Sequence, residues 1–159
     1  MAYLSRENRC QLGNDVLRLQ HDLTAILTYE PIYWRDNLTV PLTSAVKAQA
    51  QQASTMYIAG STQLPESAHG VIGDIASLPA SQRPWFAPLN VAAHQALVAN
   101  KAFIVDSTTP WAGPGSKPGV TETVVGQRLS RDVSALQRAN VAVTATLRHA
   151  GQVNGSTCP

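Results

Sequence analysis

Five apolar residues, Leu129, Val133, Leu136, Val143 and Leu147, follow one another at steps of four, three, seven and four. At about 100° per residue they fall in one narrow sector of a helical wheel. Arg128, Arg131 and Arg138 gather on nearly the opposite side. A β-strand needs period-two alternation, which is scarce in this chain, with Ala102-Phe103-Ile104-Val105 the one candidate for a short strand. A chain patterned in this way folds by packing apolar helix stripes together. The simplest arrangement is a mainly α domain, an antiparallel four-helix bundle with a long polar loop before the last helix.

The other elements are read from their stripes and breakers. Leu12, Val16, Leu19, Leu23 and Ile26 form a first stripe, capped by Ser5, or by Asn14 if Gly13 interrupts the helix. Pro31 is expected to end that helix, and the aromatic run Tyr29 to Trp34 to form a corner. A second helix is expected from Thr39, with Pro41 in its first turn, to a stop before Gly60, on a stripe of Leu42, Val46, Ala53 and Met56. Between Ser61 and Pro88 the prolines and glycines leave room for one short helix and turns. Pro88 opens a third long helix carrying Leu89, Ala93, Ala96, Leu97, Phe103 and Ile104. The stretch from Asp106 to Gly119 holds three prolines and three glycines and reads as a long loop. Residues 1–151 are expected to form a single helical domain, with Gly151 stopping the last helix and residues 152–159 forming a polar C-terminal tail.

Charge narrows the function classes. Only 14% of the 159 residues are Asp, Glu, Lys or Arg, and the net charge is +2, so the chain is neither a strongly basic nucleic-acid binder nor an acidic solvating chain. A surface so poor in charge opposes self-association weakly. No stretch approaches the roughly 18 apolar residues of a membrane span, and the N-terminal residues lack the apolar block of a secretory signal, so no membrane partner is expected. The sequons at Asn37 and Asn154 are accordingly read as unmodified. Cys10 and Cys158 belong to no CxxC pair and read as reduced thiols in a cytosolic setting.

Sites for chemistry are few. His21, His69, His94 and His149 have no partners at metal-ligand spacing, and no nucleophile motif is present, so no metal, cofactor or catalytic residue is assigned and the chain is not read as an enzyme. His21 beside Asp22 reads as a solvated helix face, and His94 as a core histidine. Gly113-Pro114-Gly115-Ser116-Lys117 is only superficially like a phosphate loop, because Pro118 stands where a magnesium-binding hydroxyl is needed. Asp74, Asp106 and Glu122 are left without a role. The arginine row has two readings. It is either a solvated face with Asp132 pairing Arg128, or a sequence-independent contact to a phosphate backbone.

The segment from Leu89 to Gly151 resembles the coat proteins of rod-shaped helical plant RNA viruses, the tobamovirus type. The resemblance rests on the helix Asn90 to Asp106, the polar loop after it, and the Arg- and Asp-bearing helix that starts at Thr121 and includes Arg128, Arg131 and Asp132. Ile104-Val105-Asp106 stands where that family places arginines. The resemblance implies a four-helix bundle that stacks in many copies around single-stranded RNA, in the virion and, during assembly, in the host cytoplasm. It implies Arg128, Arg131 and Asp132 as RNA-binding residues, to which the helix-face reading adds Arg138. Tyr33, Trp34, Trp85, Phe86 and Trp111 are expected on exposed corners for lateral contacts. A bacteriophage head-tail connector or tail protein is the nearest variant. A small helical ligand-binding or enzymatic domain, with its site between Trp85, His94 and the Trp111 loop, is the alternative from another class.

Overall fold

The computed structural model describes residues 5–38 and 43–149, with side chains for 5–34 and 43–146. Four α-helices dominate these residues, and no strand is present among them. They are α1, Arg6–Leu38, α2, Ser44–Ser77, α3, Ala87–Ser107, and α4, Glu122–His149, with a 3-10 turn, Arg83–Phe86, between α2 and α3. The expected short strand at Ala102 to Val105 is therefore helix. Its apolar residues belong to a run long enough to close i→i−4 hydrogen bonds, and Phe103 is buried against the core.

Each helix start is chemically marked. The Asn8 N–H donates to Ser5 Oγ at 3.1 Å, so Ser5 is the cap of α1 and Gly13 does not interrupt the helix. Thr43 caps α2 and Thr121 caps α4, each hydroxyl accepting the N–H three residues on at 3.3 Å. α3 opens with Pro88 in its first turn, where the missing N–H has no intrahelical partner to lose. The expected start of α2 at Thr39 and Pro41, the stop at Gly151 and the 152–159 tail lie outside the described residues.

Two helices run longer than their breakers suggest. α1 continues through Pro31 to Leu38, so the aromatic run is helix and not a corner. The lost hydrogen bond and ring clash of an interior proline are offset by packing, since Ile26 and Glu30 are buried before it and Tyr33 and Trp34 pack on the core after it. α2 continues through Gly60, Pro65, Gly70 and Gly73, so Gly60 is no cap. A Cβ at Gly60 would stand 2.8 Å from the Asp22 carbonyl oxygen and 3.0 Å from the Ala25 Cβ, and one at Gly70 would meet the Asp15 carboxylate at 2.5 Å. These glycines bring α2 against α1.

The core follows from the stripes. Leu12, Val16, Leu19, Leu23 and Ile26 are fully buried, and they meet Leu64, Ala68 and Val71 of α2, Ala93, Ala96 and Phe103 of α3, and Leu136, Ala139 and Val143 of α4 in one cluster. Contacts join α1 to α2, α2 to α3, α3 to α4 and α4 to α1. Polar clamps set the register of these pairs. Ser67 Oγ donates to Asp22 Oδ2 at 2.5 Å. Ser61 Oγ donates to Asn100 Oδ1 at 2.9 Å while Asn100 Nδ2 donates to the Ser61 carbonyl at 2.8 Å. Gln20 Nε2 donates to Thr144 Oγ1 at 3.0 Å.

Three expectations about particular side chains are corrected. Asp22 is buried at 3% exposure by its contact with Ser67, so the His21–Asp22 pair is not a solvated face, although His21 itself is. Cys10 is disulfide-bonded, which overturns its reading as a reduced thiol, and Cys158 lies outside the described residues. Of the aromatics expected on exposed corners only Trp85 is exposed, while Phe86 is buried and Tyr33, Trp34 and Trp111 pack on the core.

The two glycine classes of α2 give opposite expectations. Gly60→Ala should destabilise by about 1–3 kcal/mol through overpacking, despite the roughly 1 kcal/mol that alanine gains in helix propensity. Gly73→Ala, whose added Cβ has nothing within 4 Å, should stabilise by up to about 1 kcal/mol. Urea unfolding of both variants checks the pair.

Candidate functional site

The arginine row is built by α4 and closed by α3. Arg128 reaches Asp106 at 3.8 Å and Arg131 reaches it at 3.9 Å, with Arg131 also 3.6 Å from Asp132. The expected Arg128–Asp132 pair is thus replaced by pairing across helices, because Asp106, from the last turns of α3, is buried between them. Asp132 is 4% exposed, and its carboxyl is pushed up to about 6 by burial and by the neighbouring Asp106 carboxyl, against the pull of Arg131. Two guanidinium groups therefore stand over two carboxyls, and the cluster presents little net charge. Arg138 lies farther along α4, where it and Arg131 line a groove of about 610 Å³ with His94, Gln95 and Val98 of α3. His94 is exposed there and is not a core histidine.

The loop from 108 to 121 is long and polar as expected. Gly113 and Gly115 take φ of +73° and +88°, turns that favour glycine. The Ser116 N–H and hydroxyl both donate to the Gly113 carbonyl, so these donors are used within the turn and form no phosphate cradle. The loop carries Trp111 back onto the bundle, where its ring lies 5.8 Å from that of Trp34 with the planes tilted by 52°.

Beside this aromatic pair is a cleft of about 380 Å³ between α1 and α4, open to solvent on one side. Its walls are Trp34, Trp111, Val125, Leu129 and Val133, with Gly126 opening the α4 side and Ser130 and Ser134 near them. Two carboxyls line it, Glu30 and Glu122, the latter exposed in the first turn of α4. Glu30 is only 8% exposed, and burial pushes its carboxyl from 4.5 up to about 7. The indole Nε1 of Trp34 is buried and has no hydrogen-bond partner. A buried N–H left in that state costs about 1–3 kcal/mol. A volume of this size, apolar walls and a few polar groups fit a small-molecule site.

The sequence expectations are divided by this geometry. Arg128, Arg131 and Asp132 are brought together around Asp106, with Arg138 apart on the groove. Trp85, His94 and Trp111 are not brought together, since they lie before, on and after α3, a helix of 21 residues and so about 30 Å long. Glu30 and Trp34 were missed as site residues. The signal existed, because Glu30 continues the buried stripe of Leu19, Leu23 and Ile26 by another step of four. A third carboxyl cluster lies across α1 and α2, where Asp74 is pushed up to about 6 by burial and by Asp15 beside it.

No group of three or more His, Cys, Asp or Glu among the described residues could hold a metal ion. No helix among them is long and apolar enough to cross a membrane. No protein-family model, curated protein or solved structure matches the chain.

The raised carboxyls fix the sign of the pH dependence. Each binds its proton more tightly folded than unfolded, so its stabilising contribution is complete below about pH 4 and is lost as pH rises through 6 to 7. For Glu30 the shift from 4.5 to about 7 corresponds to a few kcal/mol. Urea unfolding should show lower stability at pH 8 than at pH 5. Glu30→Gln, neutral at every pH, should flatten that slope and be more stable than the parent at pH 8.

Proposed function

We propose that this chain is an antiparallel four-helix bundle serving as a binding module for a small, mostly apolar molecule, held between α1 and α4 under the Trp111 loop. The antiparallel reading is supported by contact order. Asp15 meets Gly70, Asp22 meets Ser67 and Tyr33 meets Tyr57, so numbers on α2 fall as those on α1 rise. The pairs Tyr57–Phe103 and Ser61–Asn100 behave alike between α2 and α3. The single observation that carries the binding reading is the buried Glu30 on the wall of an apolar cleft that the indoles of Trp34 and Trp111 also line. A buried carboxyl is costly in an isolated fold, and a bound molecule that brings it a donor or a positive charge would relieve that cost.

The test uses Gly126, whose added Cβ would meet nothing within 4 Å. A melting-temperature screen of small aromatic and aliphatic compounds should find some that stabilise the parent by several degrees. Gly126→Leu should raise the melting temperature without ligand and lose the ligand-dependent shift. A screen with no stabilising compound, or shifts unchanged in the variant, would count decisively against the pocket.

A second reading keeps the virion structural protein, most simply a helical coat on single-stranded RNA, with a phage connector ring as its variant. What favours it is an exposed apolar row on α3, Val91, Val98 and Val105, at 53, 73 and 57% exposure and seven residues apart, running beside the groove of Arg131 and Arg138. Such a row suits helix-to-helix contact between copies. Electron microscopy with and without RNA, together with sedimentation at high concentration, should show filaments or rings if this is right. A monomer under all these conditions would eliminate it. Arg128 and Arg131 would need to leave Asp106 to reach phosphate, so RNA binding should strengthen in Asp106→Asn.

A further inference from the structure

Resting on the ligand-binding reading above, we propose that the occupant of the cavity between α1 and α4 is an organic cation, an amine on an apolar body, held by the Glu30 carboxylate and the faces of Trp34 and Trp111. The charge of the walls has one sign. Glu30 and Glu122 line the space, and no Lys, Arg or His among the described residues lines it with them. An anionic molecule would meet two carboxyls and no counter-charge. A neutral apolar molecule would leave Glu30 in the wall without a role, since burying a carboxyl beside hydrocarbon is unfavourable and a leucine would serve better. A cation supplies the missing partner.

The aromatic geometry agrees. Two indoles whose centroids lie 5.8 Å apart and whose planes are tilted by 52° form two sides of a corner. Tryptophan faces attract cations more strongly than any other side-chain ring, and aromatic cages are a common means of holding ammonium groups. The apolar residues Val125, Leu129 and Val133 then cover the body of the molecule.

The protonation of Glu30 follows from its surroundings. Among the described residues the titratable groups set around it are Tyr57 of α2, with Tyr33 of its own helix packed on that ring, and Glu122 of α4, none of them basic. The loop contributes Trp111, which does not titrate. Without a cation the carboxyl holds its proton up to about pH 7. A bound ammonium favours the carboxylate, so below that pH binding releases the carboxyl proton to water while the amine keeps its own. Affinity for an amine therefore rises with pH until Glu30 is fully ionised.

Titration of the intact chain with phenethylamine, a cation throughout this range, and with its neutral counterpart 2-phenylethanol tests the inference. Tryptophan fluorescence and melting shifts are read at pH 6 and pH 8. The amine should bind at least tenfold more tightly than the alcohol at pH 8, and its affinity should rise about tenfold from pH 6 to 8, as ionisation of a group near pH 7 requires. The alcohol should show no such rise. Glu30→Gln should reduce the amine to the level of the alcohol, and Trp111→Ala, which leaves the carboxyl in place, should weaken the amine more than the alcohol. Equal binding of the two compounds, or amine binding unchanged with pH, overturns the cation while sparing the pocket. Binding of neither compound overturns both readings.

Discussion

Among the acidic residues whose side chains are described, Asp22, Glu30, Asp106 and Asp132 are buried between helices instead of facing water. In a chain with so few charges this is the constraint around which the packing is arranged. Each carboxyl needs a donor, an opposite charge or a proton, and all three solutions are used. Asp22 accepts from Ser67 across the α1–α2 contact that Gly60 makes possible, so the same stretch of α2 supplies both close approach and the hydrogen bond. Asp106 takes two arginines from α4 and thereby ties the end of α3 to the start of α4 across a 14-residue loop. Asp132 and Glu30 remain as groups that hold a proton at a pH where ordinary carboxyls do not.

What the sequence showed best was the set of apolar stripes. Leu12 to Ile26 on α1 and Leu129, Leu136 and Val143 on α4 are buried as their spacing demands, and Pro88 opens α3. What it showed worst was where helices stop. Pro31, Pro65 and Gly60 are local signals against helix of about 1 to 3 kcal/mol each. Burial of Ile26, Leu64 and Val71 on the flanking turns acts with comparable or larger weight. That packing energy comes from partners distant in the chain and is absent from any local window. Gly60 was read for its backbone freedom when its lack of a Cβ was what mattered.

The candidate site was hidden for a related reason. Its two rings, Trp34 and Trp111, are separated by the whole of α2 and α3, and only the folded loop brings them together. Glu30 was legible in principle, since a carboxyl on the buried face of an amphipathic helix is anomalous wherever it occurs. The arginine row was legible as a row, yet its partner Asp106 lies on another helix, so the wheel placed the guanidinium groups correctly and could not show that they were already engaged.

Competition between the two sites for a functional reading turns on what each has left unsatisfied. In the arginine row, Arg128 and Arg131 have carboxyl partners, and separating them to admit a phosphate would exchange one set of ion pairs for another, with Asp106 left buried and opposed to the incoming charge. Around Trp34 the balance is reversed, because the Glu30 carboxyl already lies largely out of water and no basic group among the described residues lines the cleft beside it. A molecule entering there need break no existing pair. On the binding reading proposed above, that deficit favours the α1–α4 cleft, and an occupant that binds only the folded chain would stabilise the helical domain, less so at low pH where the Glu30 proton must first be released.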